Sequence, residues 1–256
     1  MTLAVEAVSL GRRLTGISAS LRAGEVTAIC GPNGAGKSSL LSCLSGLLVP
    51  DAGTVMLDGH RLADLPSQER ARALGYLPQS PEIAWDVSVE VLVSLGRIPW
   101  AGAPAGETQS AIDQAIKAMA LQDFRHRPVS QLSGGEKARA LMARMLATNP
   151  RWLLADEPLA NLDLAHAAAL VARFGQQAQS GAGVILVLHD LASAMNHADR
   201  VLVLDRGKLA ADGPPQEALS EEMITRVWGI GARWLGEPGS QALALSQKPG
   251  VCTSQA

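Results

Sequence analysis

The sequence has no hydrophobic run of the length a membrane crossing needs. Nothing in its 256 residues approaches the roughly 20 consecutive apolar residues of a spanning helix. It also lacks a strong charge of either sign, with 22 Lys and Arg against 24 Asp and Glu and a net charge of −2. Binding along a phosphate backbone needs clustered cations, so nucleic acid is not expected as a partner. Cysteine is scarce: Cys30, Cys43 and Cys252 share no metal-like spacing, and no disulfide framework is expected. Cys30 closes an apolar run and Cys43 sits in an apolar helical pattern, which suits small buried hydrophobes. The first residues, Met1-Thr2-Leu3-Ala4-Val5-Glu6, show no basic stretch followed by an apolar one, so no signal peptide is expected. A chain with these absences would serve a membrane only by docking on another polypeptide from the cytoplasm.

What is present is a core. The chain is 47% hydrophobic and 18% charged, and its length suits one large domain or a domain with a small insert. Residues 3–10 read as an edge strand, and residues 21–25 as a turn into a strand over 26–30. A helix is expected over 37–47, with Leu40, Leu41, Leu44 and Leu48 at helical spacing. Short strands follow over 54–57 and 74–77. From about residue 80 to 134 the pattern becomes helical, around a Gly/Pro-rich break at 98–106, and reads as an inserted subdomain. Residues 136–148 read as a further helix. Three apolar runs then appear at 152–155, 184–188 and 201–204, separated by helical stretches. They are continuous rather than alternating, as in parallel strands buried on both faces, and the alternation of strand and helix predicts a doubly wound α/β core. The end from Ser246 is polar and is expected to fray.

Two local patterns carry chemistry. Gly31-Pro32-Asn33-Gly34-Ala35-Gly36-Lys37-Ser38 lies between an apolar strand and a helix. Glycines let backbone N–H groups face phosphates, and the following helix offers its positive end. Lys37 would reach the β- and γ-phosphates and the Ser38 hydroxyl would ligate Mg²⁺. Asp156-Glu157 ends an apolar strand, where ligands bind in open α/β sheets. There Asp156 would hold Mg²⁺ and Glu157 would act as general base toward water. A third segment, Leu132-Ser133-Gly134-Gly135-Glu136, precedes a helix. By itself it admits two readings, a capping box of Ser133 and Glu136 or an anion site built from Ser133 and the exposed N–H groups of two glycines.

In order and composition the set resembles the ATP-binding cassette (ABC) ATPases, the motor subunits of ABC transporters. The Ser133 segment is similar to the family's signature, Gln79 to the Q-loop, Asn161-Leu162-Asp163 to the D-loop, and His189 to the switch histidine. The resemblance implies a P-loop NTPase (RecA-like) core with a mostly parallel sheet, an antiparallel N-terminal β-region and an inserted helical subdomain. It covers residues 1–235, leaving 236–256 as a tail.

It also implies ATP and Mg²⁺ as cofactors and a division of labour. Residues 31–38 with Ser39 would bind nucleotide, and Ser38, Gln79 and Asp156 the metal; Glu157, His189, Gln79 and Lys37 would be catalytic. Ser133, Gly134 and Gly135 would complete the pocket of a second copy in a homodimer, which Asp163 would touch. Partners implied are integral-membrane permease subunits and, indirectly, a substrate-binding protein, at the cytoplasmic face of the inner membrane. Residues 89–97 with Ile98-Pro99-Trp100 look like the coupling region of cassettes that serve siderophore, haem and cobalamin importers, with Trp100 as anchor and permease contact. A zinc or manganese importer and a soluble ABC ATPase remain as alternatives. Two departures stand out. The signature usually ends in Gln where this chain has Glu136, and the aromatic ring that often stacks on adenine near the first strand is missing, leaving Leu10 or Arg12 to pack there.

Overall fold

The computed structural model describes residues 1–79, 83, 86–160 and 162–246. Asn161, Cys252 and the start of the helical insert at 80–82 lie outside these. The central sheet has six strands in the order β10-β9-β3-β8-β7-β6. They are β3 (Val26–Cys30), β6 (Leu74–Leu77), β7 (Trp152–Asp156), β8 (Gly183–Val187), β9 (Arg200–Asp205) and β10 (Lys208–Gly213). All neighbours run parallel except β10, which returns antiparallel to β9.

The unbroken apolar runs have a direct cause: alternate residues of one strand feed two separate cores. In β7, Leu153 and Ala155 pack on one side among helices α3 to α7, while Trp152 and Leu154 pack on the other against α1 (Lys37–Leu44). The α3–α7 side comprises α3 (Val89–Ser94), α4 (Ala105–Ala118), α5 (Gly134–Ala147), α6 (Leu164–Gln179) and α7 (Leu191–His197). A strand with no solvent face has no use for polar alternation.

A second, antiparallel sheet of order β2-β1-β4-β5 covers the outer side of α1. Its strands are β1 (Thr2–Leu10), β2 (Leu14–Arg22), β4 (Ala52–Leu57) and β5 (His60–Arg61). Here the structure corrects two expectations. The first strand is not at an edge; it lies between β2 and β4. Residues 21–22 are not turn but the end of β2, whose Leu14, Ile17, Ala19 and Leu21 face inward. The cause of the miss is that β2 alternates polar and apolar residues, a weaker signal than a buried run, and β1 is bulged around Ala7, which has φ +49°.

The helical part has α3 and α4 both packed on α5, so this layer continues past residue 134. Helix α2 (Ser67–Ala73) leads into β6, and α8 (Pro215–Ala218) and α9 (Glu221–Trp228) follow β10. Residue 235 is the end of β11 (Gly231–Leu235), which pairs antiparallel with β12 (Ala242–Ser246), so a hairpin spans the expected start of the tail. Among the described residues no helix is long and apolar enough to cross a membrane.

Candidate functional site

The loop between β3 and α1 owes its shape to two glycines in contact with neighbouring backbone. Gly31 has φ +152°, and a Cβ there would sit 2.3 Å from the Leu204 carbonyl oxygen. Gly36 has φ +100°, and a Cβ there would meet the Arg13 carbonyl oxygen at 2.6 Å. Any other residue would push the loop off β9 and off the β1–β2 turn. Gly36 is also the N-cap of α1 and supplies no side-chain cap, so the first amides of that helix remain available to an anion.

Lys37 is 6% exposed and its Nζ donates to the carbonyls of Gly31 at 2.9 Å and Pro32 at 3.1 Å. Burial pushes its pKa below the usual lysine value, a shift opposed by the nearby Glu157 and Asp156 carboxylates. The two carbonyl contacts fix its position inside the loop. Arg13, Asn33, Gly34, Ala35, Gly36, Lys37, Ser38, Ser39, Gln79, Glu157 and His189 together line one open pocket of about 700 Å³.

The two carboxylates at the end of β7 have different surroundings. Asp156 is 4% exposed, and burial raises its pKa above the usual carboxylate value, with the Ser38 hydroxyl beside it opposing the rise. Among the described residues its Oδ1 has no hydrogen-bond partner. Glu157, next in the chain, takes φ +50°, a backbone region that side chains with a Cβ seldom occupy. Its Oε2 accepts from Gln79 Nε2 at 2.7 Å, and its Oε1 contacts His189 Nε2. A carboxylate only accepts, so the Gln79 amide nitrogen faces it and the Gln79 carbonyl oxygen is left for another partner. Asp190 fixes the switch segment from behind: it caps α7 through the amides of Ala192 and Ser193, each at 3.1 Å. The sequence reading gave Asp190 no such role.

Ser133, Gly134 and Gly135 are not part of this pocket within one chain. The capping box is formed: Ser133 Oγ accepts from the Glu136 amide at 3.3 Å, and Glu136 Oε2 accepts from the Ser133 amide at 2.7 Å. Glu136 thus has a structural task at the position where the family usually carries Gln. Asp163 also has a local task. It caps α6 through the His166 amide and holds His166 Nδ1, both at 2.8 Å, and the His166 ring packs beside Gly135. Trp100 ends a 3₁₀ turn (Leu95–Trp100), with Nε1 donating to Thr148 O at 2.8 Å and the Arg72 and Arg97 guanidinium groups 4.5 and 5.1 Å from its ring centre.

A phosphate loop opening a helix, a carboxylate pair at the end of a parallel strand of the same sheet, and a helical layer carrying a Ser-Gly-Gly turn define an ATP-binding cassette. Residues 14–160 match the ABC transporter family, and the chain belongs to it as an ATP-hydrolysing subunit. It is 42% identical over 226 residues to the hemin import ATP-binding protein HmuV of Rhodococcus jostii, covering 87% of this chain and 77% of that one. It is 38% identical over 224 residues to the petrobactin import ATP-binding protein FpuC of Bacillus anthracis, covering 85% and 82%. Among solved structures it is similar to the dimeric post-hydrolysis state of the ATP-binding cassette MJ0796 bound to ADP and Pi, with TM-score 0.74 and 26% identity over 83% of this chain and 98% of that one.

Proposed function

We propose that this cassette powers import of haem or a related iron chelate, as a homodimer seated on separate permease subunits at the cytoplasmic face of the membrane. The observation that carries the dimer is the separation, within one chain, of the phosphate pocket from the Ser133-Gly134-Gly135 turn. Ser133 and Gly134 are exposed, with amides at a helix start, and a second copy would bring them to the open side of the triphosphate. Leu164 supports the same reading, since it stands 91% exposed beside Asp163, an apolar side chain where the twin would meet it. The cargo class rests on the relatives named above.

In the catalytic cycle the loop amides and Lys37 neutralise the β- and γ-phosphates. Glu157 accepts a proton from the attacking water, and its orientation comes from Gln79 on one oxygen and His189 on the other. Mg²⁺ suits the residues present. The unpartnered, buried Asp156 Oδ1, the Ser38 hydroxyl and the free carbonyl oxygen of Gln79 would complete a shell with phosphate oxygens and water. When bound, the ion supplies charge neutralisation of the triphosphate.

The 3₁₀ turn at 95–100 would be the permease-facing element, with Ile98, 66% exposed, at its tip. Trp100 anchors it, and the Pro99 carbonyl accepts from Gln68 at 2.9 Å and Arg72 at 2.8 Å. The test is co-purification from membranes followed by reconstitution. ATP turnover by the complex should rise when its binding protein is loaded with haem or an iron chelate. Turnover indifferent to those ligands but raised by zinc or manganese would refute the cargo.

A further inference from the structure

Among the residues that line the phosphate pocket there is no Phe, Tyr or Trp, and the one ring there, His189, is engaged with Glu157. Leu10, one of two residues the sequence offered to pack on the nucleobase, is 7% exposed and packed in the core under the second sheet, and Arg12, the other, is not among the lining residues. Arg13 is. Its backbone is pinned hard against the site: its amide donates to Leu10 O at 2.9 Å, and its carbonyl is pressed against both Gly36 of the phosphate loop and Gly207 of the β9–β10 turn. Its side chain, by contrast, is exposed on the pocket lining, and no hydrogen bond or ion pair holds it among the described residues. A cation fixed at its base, free at its tip and lining the pocket is a group without a structural task.

From this placement we infer that Arg13 holds the nucleobase, stacking its planar guanidinium on the purine ring in place of an aromatic side chain. The inference rests on the ATPase reading of the site and adds to it the residue that recognises the base. A guanidinium plane stacks on aromatic faces and gains from the ring's electron density, whereas an ammonium is a point charge with no face to offer. The triphosphate is already served by Lys37 and the loop amides. An arginine on the lining therefore contributes most where those groups do not reach.

The experiment compares ATP with inorganic tripolyphosphate, each with Mg²⁺, by titration calorimetry on the full chain and on Arg13→Ala, Arg13→Lys and Arg13→Tyr. Stacking on a base contributes enough that Arg13→Ala should weaken ATP binding about tenfold. Tripolyphosphate has no base, so its affinity should be unchanged, which also reports an intact phosphate loop. Arg13→Tyr should restore ATP affinity and Arg13→Lys should not. Equal weakening of both ligands by Arg13→Ala, with recovery in Arg13→Lys, would make Arg13 a phosphate contact and overturn the inference. Unchanged ATP affinity in Arg13→Ala would overturn it as well. Failure of the unaltered chain to bind either ligand would sink the ATPase reading itself.

Discussion

Cys30 directly precedes the phosphate loop and does not line its pocket. It is fully buried at the end of β3, and burial pushes its thiol from 9.0 up to about 12, against a smaller pull from the Lys37 ammonium. Cys43, on α1, is also buried and raised for the same reason. The thiolate is the reactive form of cysteine. At pH 8 the folded protein should leave both residues unlabelled by iodoacetamide and label them after denaturation, as read by mass spectrometry. Rapid labelling of either in the native protein would contradict their burial. The same shift gives a sign for alkaline stability. An unfolded chain releases the Cys30 proton near 9.0 while the folded one keeps it to about 12, so stability is lost as pH rises through that window. The loss is about 1.4 kcal/mol per pH unit.

Local and long-range demands meet at other single residues. Ser133 and Asp163 are both helix caps, a local role. It does not compete with the functional reading, because a cap fixes the backbone whose amides and side chain then face outward.

At the scale of elements, the β7–β8 ladder begins at one bulky contact. Trp152 is fully buried and lies opposite Gly183, and a Cβ on Gly183 would meet the indole ring at 2.2 Å. Gly183→Ala should therefore act as overpacking and cost roughly 2 kcal/mol, lowering the thermal midpoint by about 4–8 °C. Differential scanning calorimetry reads this directly, and an unchanged midpoint would mean that the ring yields without cost. The contact sits at the end of β7 opposite Asp156, so nucleotide binding by the folded variant should be retained. The helical layer is secured differently, by polar contacts between the end of α5 and the 3₁₀ turn: Arg97 donates to Ala147 O at 3.1 Å, and Thr148 Oγ1 donates to Gly96 O at 2.9 Å.

At the scale of the whole molecule, the proposed dimer requires one chain to present two half-sites. Glu157→Gln removes the general base and keeps the side-chain shape, so turnover should fall by about 10²–10⁴-fold. ATP then stays bound, and the variant should sediment as a dimer with ATP and Mg²⁺ and as a monomer without nucleotide. A Glu157→Gln chain that binds ATP and stays monomeric would defeat the shared-pocket reading.

The residues alone marked the glycine loop and the carboxylate pair as candidates and predicted the parallel core. Those features are local in the chain or repeat with a period, and backbone chemistry imposes them wherever they occur. They also located Gln79 and His189, which the fold then brings to the two oxygens of Glu157. Tertiary structure decided the interior position of β1, the existence of β2 as a strand, and the place of Arg13 rather than Arg12 on the pocket lining. Each of these depends on which backbone neighbour a turn packs against. Arg12 and Arg13 are adjacent and chemically identical, and they differ only in the direction the β1–β2 turn gives each, which is set by its contact with Gly36 and Gly207 far along the chain.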